Sequence, residues 1–124
     1  MIAEWTQDTT ELFNRISAWC DEEGWATEKK SQLRDVPDKR ETLEVETLSV
    51  TTPDGRIHLE PIGQRSDGRI LVEVYAWPTL VRVHLVEKPG GKDWEVTTDV
   101  GVPFHYYVNK ESFIQLVHDL QVLP

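Results

Sequence analysis

Arg69-Ile-Leu-Val-Glu-Val-Tyr-Ala-Trp77, then Pro78, then Thr79-Leu-Val-Arg-Val-His-Leu-Val-Glu87: this stretch decides the fold class. Its β-branched and aromatic residues suit a pleated surface. In the first half Ile70, Val72, Val74 and Ala76 recur at the two-residue period of a strand and make an unbroken core face. The opposite face carries Leu71, Glu73, Tyr75 and Trp77, which is not simply a wet face. Pro78 lacks a backbone donor, so it ends the first strand or marks a bulge. The second half alternates again, with Val81, Val83 and Leu85 on one side and Leu80, Arg82, His84 and Val86 on the other. The two halves are expected to pair as an antiparallel hairpin. A strand that is apolar on both faces is either covered on both sides by its own chain or turned toward a partner.

Upstream of this pair, Ser66-Asp-Gly68 and Pro53-Asp-Gly55 are turn signals that delimit strand-like runs at Arg56–Ile62 and Glu41–Thr52. Ile57 and Leu59 mark the inner face of the first run. In the second, the apolar phase slips between Leu43 and Val45 and the later Leu48 and Val50, so a β-bulge near Glu46 is expected. Ala26 to Arg40 is polar and charged with few apolar anchors and reads as a mobile connection. Before it, Asp8-Thr-Thr-Glu11 has capping-box spacing, and Leu12, Phe13, Ile16, Trp19 and Cys20 form a helical stripe ended by Gly24. These signals predict a helix from Thr9 to Glu23.

Downstream, Lys88-Pro-Gly-Gly-Lys92 is a turn, and Asp93–Thr98 is a strand with Trp94 and Val96 inward. Asp99–Val108 alternates, but Gly101 and Pro103 argue for an irregular edge strand or packed loop. Asn109 then caps a second helix with Phe113, Leu116, Val117 and Leu120 on one stripe, ending near Gln121. The order implies one α+β domain over residues 1–124: an N-terminal helix, a roughly five-stranded antiparallel meander and a C-terminal helix in two layers.

The 124 residues carry a formal charge of −9, which repels a phosphate backbone and excludes general nucleic-acid binding. The densest basic stretch, Lys29, Lys30, Arg34, Lys39 and Arg40, is interleaved with Glu28, Asp35, Asp38 and Glu41. It is a solvated surface rather than a phosphate track. A single cysteine forms no internal disulfide and fits a reducing cytoplasm. From the hydropathy pattern neither an export signal nor a membrane span is expected.

Catalytic signatures are missing: His58, His84, His105 and His118 match no compact metal spacing, and no Ser sits in a G-x-S-x-G turn. No cofactor, metal site or catalytic residue is assigned. Two readings of function remain. The first is a non-enzymatic interaction or adaptor module, self-associating as a homodimer or holding another protein. Leu71, Tyr75, Trp77, Leu80, Arg82 and His84 would form its partner-binding face. The second is a small-molecule pocket or small enzyme lined by Glu73, His105, Tyr106 and Tyr107, because Val102–Tyr107 groups aromatic rings with a histidine. In size, low pI and element order the chain is broadly similar to small secretion chaperones and related α+β adaptor domains, although no helix is inserted between its strands.

Overall fold

A computed structural model describes residues 2–36, 41–64, 69–87, 93–97 and 108–122. The elements are α1 (Ile2–Glu22), β1 (Ala26–Val36), β2 (Glu41–Thr52), β3 (Gly55–Gln64), β4 (Ile70–Trp77), β5 (Arg82–Glu87), β6 (Trp94–Thr97) and α2 (Lys110–Val122). The strands form one six-stranded antiparallel sheet in the order β1-β2-β3-β4-β5-β6, so the meander holds with one strand more than expected. It is an α+β fold with the expected helix, sheet, helix order.

The extra strand is β1, and it corrects the expectation of a mobile connection over 26–40. Residues 26–36 pair continuously with β2, from Ala26↔Thr51 to Val36↔Glu41. Polarity misleads here because an end strand has solvent along one side and needs few apolar anchors. Lys29 illustrates this: its ammonium is hydrogen-bonded to Asn14 Oδ1 on α1 and lies 3.9 Å from Glu46. The bulge near Glu46 is also corrected, since the β1–β2 register runs through it without a shift. Thr47 and Leu48 are consecutive and both buried, so β2 is covered on both faces at this point, which explains the slipped apolar phase. The irregularity lies instead in β3, between Pro61 and Gly63.

Both helices cover one face of the sheet. Leu12, Phe13, Ile16 and Cys20 from α1 and Phe113, Leu116, Val117 and Leu120 from α2 are buried in one cluster with Leu48, Val50, Ile57, Leu59, Val72, Val74, Ala76, Leu85, Trp94 and Val96. Each fully buried side chain of this size contributes about 1.5–3 kcal/mol relative to exposure, which makes this layer the main source of stability. α1 runs obliquely across the sheet: Asn14 lies by Lys29 on β1, and Asp8 lies by Glu87 on β5. The helix begins at Ile2 rather than Thr9, so Asp8 and Glu11 sit within it, not at its start. Nothing in Ile2-Ala-Glu-Trp-Thr breaks a helix, and the capping-box spacing is therefore not used as one.

The predicted C-terminal cap of α1 and N-terminal cap of α2 both hold. Gly24 takes φ +76°, Trp25 N donates to Cys20 O at 2.9 Å and Gly24 N donates to Asp21 O at 3.1 Å, which is a Schellman cap. At α2, Ser112 N donates to Asn109 Oδ1 (2.9 Å) and Asn109 N donates to Ser112 Oγ (2.8 Å), a reciprocal cap. Lys110 Nζ, 2.8 Å from Glu22, places a cation beside the acidic last turn of α1, and that hydrogen bond raises its pKa. Burial, reinforced by Asp21 and Glu23, pushes the Cys20 thiol up to about 12, so it is a packed hydrophobe rather than a nucleophile.

Candidate functional site

The face of the sheet opposite the helices collects the candidate residues. Cross-strand registers run Ser49↔His58↔Tyr75↔Arg82 in one row and Glu60↔Glu73↔His84 in the next. Directly paired residues share a face. Within the first row Ser49 Oγ and His58 Nδ1 are hydrogen-bonded at 3.2 Å, and the Arg82 guanidinium lies 5.0 Å above the Tyr75 ring. In the second, His84 Nε2 is 3.6 Å from Glu73 Oε2. Leu71 pairs with Val86, and Val86 is buried, so this face is covered toward that end.

The opposite end is open. Trp77 is 58% exposed and Leu80 53% exposed, at the turn that joins β4 to β5. β5 begins at Arg82, not Thr79, so Leu80 belongs to the turn rather than to the strand face where the alternation placed it. The Trp77–Pro78 bond is cis. Ala76 N donates to Val81 O and Leu80 N donates to Ala76 O, both at 2.9 Å, and Leu80 is held at φ +65°. A left-handed conformation costs an L-residue with a branched side chain about 1–2 kcal/mol, which the turn's hydrogen bonds offset.

Trp77 also walls a cleft of about 530 Å³, completed by Thr51, Thr52, Pro53, Asp54, Gly55 and Arg56. Arg56 is the cross-strand partner of Trp77. Gly55 is required there: a Cβ would lie 2.2 Å from the Trp77 carbonyl oxygen. The turn is fastened below by Thr52 Oγ1, which donates to Gln121 Oε1 of α2 at 3.0 Å. A second cleft of about 390 Å³, lined by Lys30, Ser49, Thr51 and Arg56 among others, adjoins it across Thr51 and Arg56.

Of the residues expected to bind a partner, Trp77, Leu80 and Arg82 are exposed at one end, while Leu71, Tyr75 and His84 are half-buried behind them. Of the alternative ligand set, His105, Tyr106 and Tyr107 lie outside the described residues, and Glu73 is engaged by His84. Sequence reasoning missed Arg56 and the Ser49–His58 contact, because both depend on register, which no local pattern states. The Ser49–His58 pair is nucleophile and base in type. It lies on a strand face, in one cross-strand row with Tyr75 and Arg82. Among the described residues no group of three His, Cys, Asp or Glu is placed to hold a metal ion, and no helix is long and apolar enough to cross a membrane. No protein-family model, no curated protein and no solved structure matches the chain.

Proposed function

We propose that the protein is a non-enzymatic interaction module that docks a protein partner at the open end of its central hairpin. Trp77 and Leu80 supply the apolar anchors, and Arg56 and Arg82 the polar rim. The observation that carries this reading is Leu80: a large apolar residue kept at φ +65° with 53% of its surface exposed. Folding alone would favour Gly or Asn at that position and a polar side chain in that exposure. Trp and Arg are the residue types that dominate interface energetics, and a cleft beside an indole suits an inserted apolar side chain. The two guanidinium groups stand out on a chain of net charge −9 and fit a partner segment with a carboxylate beside its anchor.

Site-specific photo-crosslinking tests this. A benzophenone amino acid at Leu80, in the cells that make the protein, should give a discrete covalent adduct that Trp77→Ala abolishes. The same probe at exposed Glu44 on β2 should not give it. Identical adducts at both positions, or an adduct at Leu80 that survives Trp77→Ala, would remove the reading.

A further inference from the structure

The β1 edge is a second surface, independent of the proposed docking site at the hairpin end. Among the described strands β1 is an end strand eleven residues long, and its Leu33 side chain is 76% exposed. Lys30 O accepts from Thr47 Oγ1 at 3.3 Å, so the backbone of Lys30 points toward β2. Amide and carbonyl directions alternate along a strand, so Thr27, Lys29, Ser31, Leu33 and Asp35 present theirs outward. The Pro53-Asp54 turn agrees: it closes on the Thr52↔Gly55 pair, which puts the even residues of β2 toward β3 and the odd ones toward β1. A row of outward donors and acceptors is a template for another strand.

The sequence of β1 selects the strand. If two copies of β1 run antiparallel, outward groups meet only when odd residues oppose odd residues. With Lys30 on the two-fold axis, Lys30 would face Lys30 of the partner subunit. With Gln32 on the axis, Lys30 would face the partner's Arg34 twice. With Ser31 on the axis, Glu28 faces the partner's Arg34 twice, Lys30 faces the partner's Gln32, and Leu33 faces the partner's Lys29. Like charges directly opposed are destabilising and opposite charges stabilising, so of these three registers the last alone opposes no like charges and pairs opposite ones. Glu28 and Lys30 are both well exposed in the single chain, 3.9 Å apart, and are free to re-pair. Leu33 gains cover as well: the Lys29 it meets is hydrogen-bonded to Asn14, so the flank of the partner's α1 lies beside it.

We propose that β1 pairs antiparallel with β1 of a second copy, with Ser31 on the two-fold axis, to form a continuous twelve-stranded sheet. Neither lysine then meets its own kind, although lysines on an edge ordinarily keep strands apart.

Cysteine crosslinking tests the register, since Cys20 is the one native thiol and is buried. Under mild oxidation Ser31→Cys should convert to a disulfide dimer of twice 14.3 kDa, because residues on the axis of such a pair lie about 5.5 Å apart between Cα atoms. Glu28→Cys, some six residues from its own copy across the axis, should not. Light scattering on the unmodified chain should show the same doubled mass. Glu28→Arg should weaken the dimer about tenfold by opposing arginines twice, and Glu28→Arg with Arg34→Glu should restore it. The proposal is overturned by a monomer at all concentrations, by equal crosslinking at both cysteine positions, or by a double charge exchange no better than the single one.

Discussion

Glu87 stands at the apolar parity of β5, following Val83 and Leu85, and only 7% of it is exposed. Burial, then the Asp8 carboxyl beside it on α1, push its pKa from 4.5 up to about 7; a hydrogen bond from the Ile70 backbone works the other way. The folded chain therefore keeps this proton up to about pH 7, whereas the unfolded chain gives it up near 4.5. The contribution to stability is fully present below the lower value and is lost as pH rises through the upper one. Glu87→Gln keeps a donor toward Asp8 without the charge. At pH 8 it should be more stable than the native chain by on the order of 1 kcal/mol, with the difference closing toward pH 4.5. Urea midpoints across that range check this, and a constant offset between the two proteins would mean that the carboxyl ionises normally. Leu80 makes the opposite kind of residue-level test. Leu80→Asn suits φ +65° and should leave thermal stability equal or higher, while the adduct from a benzophenone probe moved to Asp54, which lines the same cleft, weakens.

The elements differ in how far each was legible, and the difference is physical. Gly24 and Asn109 act through their own backbone and nearest amides, so both caps can be read from a few residues. Asn109→Ala should cost about 1 kcal/mol in urea unfolding and expose the first-turn amides of α2 to faster hydrogen exchange. Gly24→Ala should cost about as much, and for a backbone reason alone, since nothing lies within 4 Å of where its Cβ would be. The central hairpin was equally legible because both of its faces carry pattern, and the Pro53-Asp-Gly55 turn is a local signal. β1 was not, since its strand state comes from pairing with β2 and not from its own apolar content. Of the candidate site, Trp77, Tyr75 and Arg82 followed from alternation, but Leu80 left the strand for the turn, and Arg56 reached Trp77 only through the register of β3. α1 was misread at its start, where a capping-box spacing lies inside a helix that nothing interrupts.

At the scale of the whole molecule, one row of the sheet connects the two surfaces: Ala26↔Thr51↔Arg56↔Trp77. The docking cleft therefore lies at the Ala26 end of β1, while the axis of the proposed dimer passes through Ser31. Two copies paired in that register carry their clefts at opposite ends of one continuous sheet face, too far apart to touch. Dimerisation and docking should then be separable, with one partner segment bound per chain. Lys29→Pro removes an outward amide that takes no part in the β2 ladder, so it should give a folded chain of 14.3 kDa by light scattering that still forms the Leu80 adduct. Trp77→Ala should do the reverse, losing the adduct while Ser31→Cys in the same background still crosslinks. A single variant that removed both the doubled mass and the adduct would show that one surface serves both contacts. The hairpin end would then be the dimer interface, and the β1 edge would be an ordinary solvated strand.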